Sequence, residues 1–153
     1  MPMRPLALAR AAVVVALVSA SVGAYAMLES EAIIKYRQGV MKAIGGHMAA
    51  SAQVVRGKVD RAEALEAHAA AIAALSKNVP ELFPEGSDFG ETDAKMAIWD
   101  DWSGFEEAAR KSSEAAQAYQ EAAGSGDRAA VAGAFKDLSD TCKGCHEDYR
   151  VKD

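Results

Sequence analysis

The run Cys142-Lys143-Gly144-Cys145-His146 constrains this chain more than any other stretch of it. Two thiols three residues apart are followed directly by an imidazole. On a helix turning about 100° per residue, Cys145 and His146 lie roughly −60° and +40° from Cys142, so all three share one face within about a turn. Thiols at that separation can add across the two vinyl groups of a single porphyrin. The adjacent imidazole then reaches the porphyrin iron from the same side. C-x-x-C-H is the sequence mark of this attachment, which yields one covalent haem c with its iron.

Other uses of the pair fit less well. Cys142 and Cys145 are the only cysteines in the chain. A structural zinc site needs four ligands, and the remaining histidines, His47 and His68, stand far away and oddly spaced. A thioredoxin-type dithiol belongs at the start of a helix that follows a strand, and no strand-like run precedes Cys142. A disulfide closing so short a stretch of helix would be strained and would restrict little of the unfolded chain.

The first 26 residues read as an export segment. Arg4 and Arg10 make a basic start, Ala11 to Val18 an apolar core, and Ala24-Tyr25-Ala26 an A-x-A cleavage site. The apolar stretch is shorter than the ~20 residues that span a bilayer, so no integral membrane segment is expected after processing. Covalent haem attachment in bacteria follows export, which agrees and points to a periplasm. Residues 27–153 then form one domain, and removing Arg4 and Arg10 takes the formal net charge from −5 to −7. No Lys/Arg cluster of the nucleic-acid kind is present, which sets nucleic acid aside.

The processed chain is rich in alanine and poor in β-branched runs, which favours helix throughout. A first helix is expected from about Glu29 to Lys58, with Ile33, Tyr36, Val40, Met41, Ile44, Met48, Ala52 and Val55 at three- and four-residue steps. Gly45-Gly46 within it suggests a kink or the close approach of something flat. A second helix is expected after Asp60 as N-cap, carrying Leu65, Ala69, Ile72 and Leu75. A loop with Pro80, Pro84, Gly86 and Gly90 runs from Lys77 to Glu91. Thr92 or Asp93 is placed as the cap of a third helix reaching about Ala123, and Asp127 as the cap of a fourth. On the last, Val131, Phe135, Leu138, Cys142, Cys145 and Tyr149 trace a stripe into the haem motif. The expected fold is all-α, an antiparallel four-helix bundle with covalently bound haem near the C-terminus.

His146 fills one axial position on the iron, and the other decides function, because an occupied iron passes electrons while an open one binds small gases. Candidates are Met41, Met48, Met96, His47 and His68. Met27 sits too near the processed terminus. Met41 and Met48 share the core-facing side of the first helix about 10 Å apart, so only one can stand level with a given iron. Spacing leaves Met41 open between ligand and core filler. His47 is placed facing solvent or a neighbouring helix, and His68 at the surface or rim.

The chain resembles the class II c-type cytochromes, that is cytochrome c prime and its low-spin, methionine-ligated relatives. The residues that carry the resemblance are Tyr36-Arg37-Gln38-Gly39-Val40-Met41, Leu82-Phe83-Pro84-Glu85-Gly86, Ala97-Ile98-Trp99 and Cys142 to Arg150. In that family the position of Met41 faces the distal side of the haem, as a bound methionine in low-spin members and usually a bulky apolar residue in high-spin ones, some of which carry an unbound methionine there. The resemblance places Arg37 and Gln38 at the haem propionates, Arg150 beside the proximal imidazole, and Thr92 and Asp93 near the haem edge. Relatives often pair through their first two helices, so a homodimer stays open.

Three functions follow. The leading one is a periplasmic monohaem electron carrier, not an enzyme, serving redox partner proteins through His146 and Met41 as axial ligands. The second is a high-spin protein binding nitric oxide or carbon monoxide at an open distal face. The third is a haem-free thiol oxidoreductase using Cys142 and Cys145.

Overall fold

The computed structural model describes residues 6–151, with side chains from residue 28 onward, so the export segment expected over residues 1–26 lies outside the described side chains. Five helices follow in order: α1 (Leu6–Val55), α2 (Leu65–Ser76), α3 (Ala97–Asp100), α4 (Trp102–Ser125) and α5 (Arg128–Tyr149). The four long ones form an antiparallel bundle in which α1 packs on α2, α2 on α4, α4 on α5, and α5 back on α1. Among the described residues no helix is long and apolar enough to cross a membrane.

Several expected boundaries move. The inward face of α1 uses Ile34 and Arg37, both 3% exposed, whereas Tyr36 is 62% exposed. The helix runs without interruption through Gly45-Gly46, so the glycines make no break there. Asp60 caps nothing: a 3₁₀ turn, Ala62–Ala64, precedes α2, and neither start has a side-chain cap. Thr92 and Asp93 are not caps either, because helix begins only at Ala97. That helix is then cut at Asp101, whose backbone (φ −128°, ψ 66°) leaves the helical region while its carboxylate accepts a hydrogen bond from Gly104 N at 3.1 Å. The apolar steps Ile98, Trp99, Trp102 and Phe105 run across this break, which hides it from periodicity. Asp127 does cap α5, accepting from the backbone N–H groups of Ala129 (2.8 Å) and Ala130 (3.2 Å). Gly126 ends α4 at φ 73°, the left-handed turn that favours glycine.

Two apolar clusters result. The larger joins all four long helices around Ile72, Ala69, Tyr119, Phe135 and Leu138, with Cys142 and Met48 packed against it. Burying an isoleucine or leucine there stabilises the bundle by roughly 1.5–3 kcal/mol each. The smaller gathers Leu82, Phe83, Ile98 and Phe105, with Met41, Cys145, Trp99 and Tyr149 against it. Its rings meet edge-on: Phe83 and Phe105 have centroids 4.8 Å apart, and Phe105 and Tyr149 5.3 Å apart. The haem motif thus leaves the first cluster at Cys142 and enters the second at Cys145.

Candidate functional site

A cavity of about 530 Å³ opens beside the second cluster. This lies within the roughly 300–1,000 Å³ usual for clefts that take small molecules and cofactors. Met41 and Gly45 of α1 line it, together with Phe83, Ile98, Phe105 and the α5 residues Cys145, His146 and Tyr149. An added Cβ at Gly45 would meet nothing within 4 Å, so the α1 backbone presents a flat face to this space. Arg37, Gln38, Thr92, Asp93 and Arg150 complete the wall.

The polar edge is built from a loop clamped onto α1. Arg37 is buried, and its guanidinium donates to Leu82 O (3.3 Å), Ser87 Oγ (3.0 Å), Ser87 O (3.0 Å) and Thr92 Oγ1 (2.8 Å). It also lies 4.5 Å from the centroid of the Phe83 ring. None of these partners is an anion, and burial lowers the guanidinium from its ordinary value. Gln38 Nε2 donates to Glu91 O at 2.8 Å, and Thr92 Oγ1 also accepts from Ala94 N at 3.1 Å. So the loop, not a helix start, is what Thr92 organises.

The end of α5 is pinned to the segment after that loop. Lys95 N donates to Tyr149 O (2.9 Å) and Val151 N to Asp93 O (2.8 Å). Lys95 Nζ reaches the carbonyls of Glu147 (2.8 Å) and Asp148 (3.2 Å), satisfying acceptors that a helix end leaves unpaired. Arg150 Nη2 pairs with Asp93 Oδ2 at 3.1 Å. His146 is exposed along the cavity wall, yet the surrounding protein, and then Arg150, lower its imidazole from the ordinary histidine value. Both thiols move the other way. Burial raises Cys142, and burial followed by the neighbouring Cys142 charge pushes Cys145 up to about 11. A reactive redox thiol needs the opposite shift, and these two sit in the last turns of a helix rather than at its start, which tells against the dithiol reading.

The profile of the family described as cytochrome C' matches residues 32–150. The chain belongs to that family of class II c-type cytochromes. Cytochrome c' of Pararhodospirillum photometricum is 40% identical over 121 residues, covering 78% of this chain and 97% of its own. The crystal structure of cytochrome c' from Thermochromatium tepidum superposes with a TM-score of 0.77 at 28% identity, over 80% of this chain and 97% of that one. Cytochrome c prime of Alcaligenes xylosoxidans, solved as a nitric oxide complex of one variant and a carbon monoxide complex of another, gives a TM-score of 0.75 at 29% identity over 80% and 97%.

One covalent haem c with its iron is therefore the cofactor, and the cavity suits it. Apolar and aromatic walls fit a porphyrin plane, the polar edge of Arg37, Gln38 and Arg150 fits its carboxylates, the Cys145 thiol offers a point of attachment, and the His146 imidazole and Met41 thioether are groups of the kind that iron takes. Of the axial candidates in this cytochrome, Met41 alone among the described side chains lines the cavity with His146. Met48 packs in the larger cluster and Met96 is 51% exposed. His47 and His68 face each other across α1 and α2, so His68 lies in an interhelical pair and not simply at a rim. Met27 lies outside the described side chains. The Arg37 clamp and the Asp101 break were not read from the sequence. An Asp three residues before a Gly, D-x-x-G, was the available cue for the break.

Proposed function

We propose that this class II cytochrome is a periplasmic monohaem electron carrier, not an enzyme. Its haem is fastened through Cys142 and Cys145, with His146 and Met41 as the axial ligands of the iron. The observation that carries this reading is the position of Met41 in the cavity wall that also holds His146. Bound there, haem c supplies a one-electron ferric–ferrous couple.

The residues around it have separable tasks. The Cys142 and Cys145 sulfurs tether the cofactor to α5, and the His146 imidazole donates from the same helix. Met41 contributes a soft thioether, which favours ferrous iron and raises the potential relative to harder donors. Phe83, Ile98 and Phe105 keep water from that face, which favours the less charged, reduced state. Arg37, its terminal nitrogens held by the loop, lends positive charge toward the propionates, and the Gln38 amide and Thr92 hydroxyl beside it offer them hydrogen-bond donors. Arg150 and Asp93 hold the end of α5 near His146. Both axial donors stand on long helices of one bundle, which favours small rearrangement on reduction.

The second reading, capture of nitric oxide or carbon monoxide at an open distal face, is favoured by the gas complexes of the Alcaligenes xylosoxidans relative. It requires Met41 to pack beside the iron without binding it. Met41→Ala separates the two. With Met41 as ligand, the variant turns from low-spin to high-spin, loses potential and gains carbon monoxide binding. Spectra and carbon monoxide affinity equal to those of the parent protein would show that Met41 only packs.

A further inference from the structure

The haem site leaves one pair of chemistry-bearing side chains unused. His47 on α1 and His68 on α2 are half-buried, do not line the haem cavity, and bring their Nδ1 atoms to 2.9 Å. Their ring centroids are 5.1 Å apart and the planes cross at 57°. We infer that His47 and His68 form a second metal site, for a late first-row divalent ion and Cu²⁺ above all.

Two imidazoles converging from separate helices carry the assignment. Two nitrogens each about 2.0 Å from one ion stand ~2.8–2.9 Å apart when the ligand–metal–ligand angle is a right angle, and ~3.3 Å apart when it is tetrahedral. The nitrogens, now at hydrogen-bond distance, already stand about as close as the right-angled case requires, the cis arrangement of a square or tetragonal site that suits Cu²⁺ and Ni²⁺. Imidazole suits all three ions, and Cu²⁺ leads the affinity order. Among the described residues no third His, Cys, Asp or Glu joins the pair, so water fills the remaining positions.

Binding moves the rings and not the helices. One Nδ1–H now donates to the lone pair of the other Nδ1, so one ring already presents its lone pair at that nitrogen. On binding, the donor ring carries its proton on Nε2 instead. The ion sits off the nitrogen–nitrogen line, so each ring turns by up to ~45° about a torsion that is broad for histidine. The two helices hold the backbones in place.

Titration of the ferric holoprotein with Cu²⁺, followed by electron paramagnetic resonance, tests the site. One Cu²⁺ per chain is expected, with a tetragonal signal whose electron spin-echo modulation reports two imidazole nitrogens. His47→Gln and His68→Gln should each weaken binding by on the order of tenfold or more while the Soret band stays unchanged. No saturable site, modulation from at most one imidazole, or undiminished affinity in the variants would overturn the assignment. The two-imidazole signature is read on the parent protein, so it decides even if a variant fails to fold.

Discussion

Arg37 shows how much one side chain can do that its neighbours in sequence do not reveal. Its position next to Gln38 also allows an exposed charge on a helix face, yet it is 3% exposed and joins α1 to Leu82, Ser87 and Thr92. Those partners lie 45 to 55 residues away, so no local pattern announces them. Arg37→Ala leaves buried carbonyls and hydroxyls without their donor. It should cost roughly 3 kcal/mol in urea unfolding and expose residues 82–92 to proteolysis. Asp93→Asn removes only a partner of the half-exposed Arg150 and should cost under about 1 kcal/mol. Equal losses in the two variants would contradict the clamp. By contrast, the sulfur and imidazole of Cys145 and His146 were legible at once, because covalent haem chemistry fixes their spacing within a single helical turn.

At the scale of elements, α5 was the most legible: its cap Asp127, its stripe and its haem motif all act within one helix. The start of α4 was hidden because apolar periodicity continues through Asp101. Gly104 marks that break structurally. A Cβ there would overlap the Asp101 carboxylate and stand 2.8 Å from the Tyr149 hydroxyl. Gly104→Ala should therefore destabilise the protein by about 1–3 kcal/mol, through strain at the cap and at the contact between α4 and the end of α5. Gly133, inside α5, has nothing within 4 Å of its added Cβ. Gly133→Ala should stabilise by roughly 0.5–1 kcal/mol through helix propensity. Thermal unfolding of the two variants checks the opposite signs, and a stabilised Gly104→Ala would refute the close approach. The wrongly placed caps at Asp60, Thr92 and Asp93 share one cause. A capping residue is useful only where a helix starts, and tertiary contacts of the loops decided those starts.

For the whole molecule, the bundle was legible from four amphipathic helices and their connections, while its internal division into two apolar clusters was not. That division places Cys142 on one cluster and Cys145 on the other. Before haem attachment both thiols are held protonated, Cys145 up to about 11 against an ordinary 9.0. Between about pH 9 and pH 11 the unfolded chain releases this proton while the folded chain retains it. The stability of the unattached chain therefore falls as pH rises through that window. Compared with a Cys145→Ala apoprotein, the apoprotein should lose stability more steeply from pH 9 to pH 11 in urea titrations. Parallel profiles would contradict a protonated, buried thiol. Thioether formation removes the proton altogether, so the holoprotein should lack this component.

The most direct measurement is the optical and paramagnetic spectrum of the ferric holoprotein as purified. Ligation by His146 and Met41 predicts low-spin iron with a methionine-to-iron charge-transfer band that disappears in Met41→Ala. A high-spin ferric spectrum without that band would contradict Met41 ligation and leave the distal face to small gases.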